Sequence, residues 1–222
     1  MKYKLIFLLI LFLSCEKKSE VSVSTNASEL SINESILIQN LKIISHDSMQ
    51  GREYLTEGNR KTRDFINKEF SKLELQSVVG TGYLQRFSVD SLSSGTNIIG
   101  KITGATAKTI VITAHYDHLG VVAGDIYNGA DDNASGVSAL IAIAAFYKKK
   151  LPNHTIVFAA LDGEEVGLIG AQYLLNNYPS NVNDIVLNIN LDMISRNDKN
   201  QLYASGTYHS PELKKILNQY YI

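Results

Sequence analysis

Four short clusters of ionisable residues stand in the second half of this sequence. They are Ala114-His115-Tyr116-Asp117-His118, Gly129-Ala130-Asp131-Asp132-Asn133, Leu161-Asp162-Gly163-Glu164-Glu165 and Leu191-Asp192-Met193. On one rim they would gather as many as seven carboxylates in a small volume. Like charges that close repel by several kcal/mol in a partly dry site, so they need cations or shared protons. A histidine among carboxylates suits zinc or a similar divalent ion. The carboxylates exceed what one zinc needs, which points to two cations sharing a bridging ligand about 3.5–4 Å apart.

The elements between the clusters supply a reason for such a rim. Asn97–Ile102, Thr109–Thr113, Thr155–Ala160 and Ile185–Asn190 read as strands, the middle two apolar enough to be covered on both faces. Ser135 to Tyr147 reads as an apolar helix, closed by Lys148-Lys149-Lys150 at the negative end of its dipole and by Pro152. Alternating strands and helices predict an α/β sandwich around a mostly parallel sheet, with ligands bound at the carboxyl ends of the strands. Upstream, helical spacing starts near Asn33 with Ile36, Leu37, Asn40, Leu41 and Ile44 on one face. A second helix is expected over Asn59–Leu73, burying Phe65, Ile66, Phe70 and Leu73.

HYDH, GADDNASG, LDGEEVGLIG and NLDMI, in this order, closely resemble the M28 family of co-catalytic zinc metallopeptidases. The resemblance runs from about Leu41 to the end and takes in the Gly51-Arg52 turn and the Gln85-Arg86-Phe87 segment. It implies a three-layer α/β/α zinc-exopeptidase-like sandwich around a mixed sheet, binding two Zn2+ ions. By the same resemblance His115 and Asp192 bind one zinc, Glu165 binds the other, and Asp132 bridges both. Glu164 is the general base acting on a metal-bridging water, and Asp117 holds the second imidazole nitrogen of His115. An adjacent pair suits a sharp turn, where one carboxylate faces the metal and its neighbour the water; Gly163 and Gly167 would relieve the backbone there. The implied activity is that of an aminopeptidase acting on peptides. A carboxypeptidase or a glutaminyl-cyclase-like enzyme shares the fold, and a non-catalytic binding ectodomain is the reading from another class.

The resemblance also implies one more histidine, opposite Glu165, and only His209 follows Asp192. The amphipathic PELKKILNQYYI segment runs to the last residue, so the sequence is expected to be incomplete at its C-terminus. Other polar residues have plainer readings. Asp131 and Asp162 fit caps or turns, His118 fits an exposed loop, and His46 and His154 fit surface or packing positions.

The N-terminus reads as a targeting signal. A basic Met1–Lys4 precedes an apolar run from Leu5 to Leu13, too short to span a bilayer, which takes about 20 residues. Ser14-Cys15 follows, resembling the lipobox of bacterial lipoproteins, with Phe12 in place of the usual aliphatic residue. The expected organisation is a signal peptide over 1–14, a serine-rich tether over 15–32 and a peptidase domain over 33–222, exported and lipid-anchored through Cys15 to the bacterial envelope. With Cys15 the one cysteine, neither a disulfide framework nor cysteine catalysis fits. A net charge of −1 gives no nucleic-acid footprint.

Overall fold

Helical spacing takes hold once the serine-rich stretch ends. A computed structural model of the chain describes residues 31–88, 94–199 and 201–219; the expected signal peptide, Cys15 and nearly all of the tether lie outside them. Ser31–Ile222 forms one compact unit. Helix α1 (Glu34–Ile44) starts where the Asn33 side chain accepts a hydrogen bond from Ile36 N at 3.1 Å. Its inward face is the expected one except for Ile36, which stays exposed in the first turn. Helix α2 (Glu57–Lys72) begins two residues before the expected Asn59, because Thr56 Oγ1 caps the Asn59 amide. It buries Ile66 and Phe70 completely.

The sheet comprises β1 (Gln76–Ser77), β2 (Leu84–Ser88), β3 (Ser94–Ile102), β4 (Thr106–His115), β7 (His154–Leu161) and β8 (Ile185–Asn190). A separate hairpin pairs β5 (Gly120–Val122) with β6 (Asp125–Tyr127). The main order is β1-β3-β7-β4-β8, with β2 also on β3. Pairings of β4 with β7 and with β8 are parallel, and those of β3 with β1, β2 and β7 are antiparallel. The sheet is therefore mixed, its parallel part confined to the strands that precede the acidic clusters.

Alternation along the strands separates two apolar layers. Ile98, Ile112, Ala114, Ile156 and Phe158 face one side, where they pack with α1, α2 and α3 (Gly136–Lys149). Ile99, Val111, Val157 and Ala159 face the other, against Leu174 of α4 (Ile169–Asn176). The result is the α/β/α sandwich that the sequence implied. β4 and β7 are almost wholly buried beyond their first residues, whereas β8 is largely exposed. A short helix α5 (Pro211–Leu217) buries no residue. No helix among the described residues is long and apolar enough to cross a membrane.

Candidate metal centre

Because β4, β7 and β8 run parallel, their carboxyl ends share one rim. There His115, the last residue of β4, points Nε2 at Asp132 Oδ1 (3.2 Å) and Asp192 Oδ1 (3.6 Å). Asp132 comes from the distorted turn Ala130–Ser135 that leads into α3, and Asp192 lies two residues beyond β8. His115 Nδ1 meets the Asp117 carbonyl at 3.2 Å. A carbonyl only accepts, so the network assigns a proton to Nδ1 and leaves Nε2 facing the two carboxylates. A tetrahedral zinc about 2.0–2.2 Å from N and O donors sets those donors roughly 3.3–3.6 Å apart. The donor set and spacing of His115, Asp132 and Asp192 fit such an ion.

A second group forms around the other oxygen of Asp132. His118 Nδ1 lies 2.8 Å from Glu165 Oε1 and 3.8 Å from Asp132 Oδ2. Glu164 and Glu165 occupy the loop between β7 and α4, where Gly163 adopts φ +67 and turns the chain sharply enough to present both carboxylates. Their backbone is held by Asp117, whose two oxygens accept from Glu164 N (3.1 Å) and Glu165 N (3.2 Å). The Asp117 carboxylate was expected to hold His115. It stands 3.6 Å from the imidazole Nδ1, and its closer partners are these two amides. Fully buried, it fastens the loop carrying the glutamates to the loop carrying the histidines.

Arg52 fastens the remaining loop. Its guanidinium is fully buried and donates to the carbonyls of Tyr116, Ile44, Asn128 and Gly129 at 2.6–3.0 Å, with Asp132 O further off at 3.4 Å. One planar fork thus ties the HYDH loop to the GADD loop. Burial lowers the Arg52 pKa to about 10, against the pull of Asp117, Asp132 and Glu165, so it stays charged at neutral pH beside those carboxylates. On the β8 side, Asn133 Nδ2 donates to Leu191 O, while Ser135 Oγ and Asp131 Oδ1 accept from the amides of Ile194 and Ser195.

Charge crowding appears in the protonation of the site. Burial pulls the His115 pKa down, and Asp117, Asp192 and Glu164 more than offset it, leaving it at about 9. Glu164 is shifted upward, first by burial and then by Glu165, Asp117 and Asp192, with His115 opposing. Asp162 is raised to about 6 by burial, although Thr96 N and Asn59 Nδ2 donate to it. Protonation and a bound cation relieve the same crowding.

The structure thus gathers His115, Asp132, Glu164, Glu165, Asp192 and Asp117 at one rim. It also corrects two sequence readings. His118 is 8% exposed and belongs to a donor group, so it is no exposed loop histidine. The reading rested on its place after β4, where a loop histidine ordinarily meets water, but the loop folds inward under Arg52, whose carbonyl accepts from His118 N. Asp162, at 2% exposure, is an interior anchor linking β3, α2 and β7. Arg52 received no role from its neighbours in sequence, since an arginine that caps distant carbonyls leaves no local signal. Asp131 does sit in a turn role, and His209 lies exposed against Tyr208, outside both donor groups.

These features define an α/β sandwich with imidazole and carboxylate donors at the carboxyl rim of its parallel strands. The family model "Peptidase family M28" matches residues 97–221, more than half of the sequence, and the chain belongs to that family. It is 30% identical over 166 residues to a protein described as a probable zinc metalloprotease from Pyrenophora tritici-repentis, covering 66% of this chain and 33% of that one. Among solved structures, it is similar to a leucine aminopeptidase precursor from Bacteroides thetaiotaomicron, with TM-score 0.65, 19% identity and coverage of 83% and 71% of the two chains. A glutaminyl cyclase from the same organism, bound to N-acetylhistamine, gives TM-score 0.65, 19% identity and coverage of 83% and 70%. The chain spans less than half the length of the first curated relatives it matches. Zinc is the cation that this metallopeptidase family implies, and the donors present suit it.

Proposed function

We propose that this chain carries the active site of a zinc-dependent aminopeptidase, with Glu164 as general base. The observation that supports it most is the Glu164-Glu165 pair. Asp117 holds both amides, so one carboxylate faces a donor group while the other is left beside it, half-buried and with a raised pKa. A binding module has no use for that second carboxylate. His115, Asp132, Asp192 and Glu165 would hold the metal. When bound, zinc polarises a peptide carbonyl and lowers the pKa of water. Glu164 takes the proton of the attacking water and delivers it to the leaving amine, a role that favours a pKa nearer neutrality than that of an ordinary glutamate. Asp117 and Arg52 keep the loops in register while this happens. A cleft of about 470 Å3 opens on His115, Glu164 and Asp192 and is otherwise lined mainly by apolar side chains such as Leu161, Leu168 and Leu174. It has room for a substrate side chain.

Hydrolysis of aminoacyl anilides by the zinc-loaded chain tests this reading. Glu164→Gln should lower turnover by about 10²–10⁴-fold with the zinc content unchanged. Turnover that survives the substitution, or that appears only with C-terminal substrates, would overturn it. Cyclisation of N-terminal glutamine, the activity named for one structural neighbour, is the second reading, and a glutaminyl peptide in the same assay separates the two. The division into a leader (1–14), a tether (15–32) and a peptidase domain (33–222) belongs to the same proposal, as does export to the bacterial envelope with a lipid on Cys15. Fatty-acid labelling that persists in Cys15→Ala would remove the anchor.

A further inference from the structure

We propose that His118 Nδ1 is a ligand of a second divalent cation, shared with Asp132 and Glu165. The inference rests on the zinc reading above and adds a donor that the family resemblance does not supply from this segment. Asp132 offers Oδ1 to His115 and Oδ2 to His118. Two donor groups that meet at one carboxylate, one oxygen each, are what a bridged pair of cations about 3.5–4 Å apart requires. The ring nitrogen of His118 faces two carboxylates, at 2.8 and 3.8 Å. As a hydrogen-bond donor, Nδ1 has one proton and serves one of them, whereas a cation among the three donors satisfies both.

The surroundings hold the ring in that position. His118 is 8% exposed, and its amide donates to Arg52 O at 3.2 Å. Gly129 lies against the ring so closely that a Cβ there would stand 2.4 Å from His118 Cδ2. His154 and His209, the histidines that follow it among the described residues, belong to neither donor group. An imidazole beside two carboxylates selects zinc or cobalt over magnesium or calcium, which prefer all-oxygen sites.

Cation counting on the metal-free full chain tests this, with zinc titrated against a chromophoric chelator and Co2+ absorption as a second readout. The wild-type chain should bind two ions. His118→Ala and His118→Gln should each keep the first and bind the second at least about 100-fold more weakly. Retention of the first ion also reports that the variant is folded. His209→Ala should bind two ions like the wild type. Glutamine can still hydrogen-bond Glu165 but is a poor zinc ligand. Two tightly bound ions in His118→Gln, whatever His118→Ala does, would make His118 a positioning residue and overturn the proposal. A wild-type chain that binds one ion overturns it and leaves the zinc reading standing, and one that binds none overturns both.

Discussion

The two strands that flank β4 hold their donors by different means. On one side β7 lies between β3 and β4, is covered on both faces, and leads into a loop clamped by the buried carboxylate of Asp117. On the other side β8 pairs only with β4 among the described residues, is largely exposed, and places Asp192 with its side chain 39% exposed. Burial and a buried clamp prepare the glutamates before any cation arrives. The backbone around Asp192 is held by Asn133, which donates to Leu191 O, and by Ser135 and Asp131, which accept from the amides of Ile194 and Ser195. Asp132, between the two, joins a buried half of the site to a more exposed one.

The largest expected effect comes from removing Arg52, which ties the loop after β4 to the loop that carries Asp132, the donor between the two sides. Arg52→Met would leave several inward carbonyls without a donor and three nearby carboxylates without their buried counter-charge. Removing one member of a buried charged network costs about 3–5 kcal/mol, and a similar loss is expected here in urea unfolding of the metal-free chain. Arg52→Lys should recover only part, since an ammonium cannot span four carbonyls. A lysine variant within about 1 kcal/mol of the wild type would mean that water already reaches these carbonyls, and that the loop carrying Asp132 is held no more firmly than the exposed β8 side.

A somewhat smaller effect is expected at Asp162. Its pKa in the folded chain is raised from 3.8 to about 6, so the fold favours the protonated carboxyl. The stability it contributes is fully present below pH 3.8 and is lost as pH rises through 6. Over that interval the loss is of order 2–3 kcal/mol. Asp162→Asn cannot ionise and also gives up an acceptor to Asn59 or Thr96. It should therefore be less stable than the wild type at pH 4 and close most of that gap by pH 7, as read from urea midpoints. A gap that stays constant with pH would show that Asp162 is hydrated, and the β7 side would lose its claim to a dry interior.

The sequence carried much of this arrangement, and the parts it lacked share a physical cause. Strands β4, β7 and β8 are runs of apolar and β-branched residues, so the strands and the clusters next to them could be placed from pattern, and a shared rim followed only on the condition that these strands run parallel. Sheet polarity is a pairing property, and the antiparallel course of β3 left no mark in its own residues. The β5–β6 hairpin did leave one: Ala123 and Gly124 both adopt positive φ, as a tight two-residue turn demands, but the strands are three residues each and too short to stand out. His118 and Arg52 were misread or unread because their partners lie dozens of residues away. Arg52 reaches Tyr116 across 64 positions, and His118 reaches Glu165 across 47.

The smallest effect separates the two sides most directly. Asp117→Asn keeps the size of the side chain but can accept from only one of the Glu164 and Glu165 amides, and it turns an NH2 group toward the other. Groups that orient metal ligands in this way are worth about 10–100-fold in metal affinity. The same loss is expected here for zinc competed against a chelator, or about 1.4–2.8 kcal/mol. Ser135→Ala removes the acceptor of Ile194 N on the β8 side. A hydrogen bond there contributes about 0.5–1.5 kcal/mol to stability, and only a fraction of that reaches the cation, so the affinity should fall by less than about 3-fold. The reverse order, with serine mattering more than aspartate, would mean that the hydrogen bonds around Asp192 set the geometry of the site. The buried clamp on the glutamates would then follow the cation rather than prepare for it.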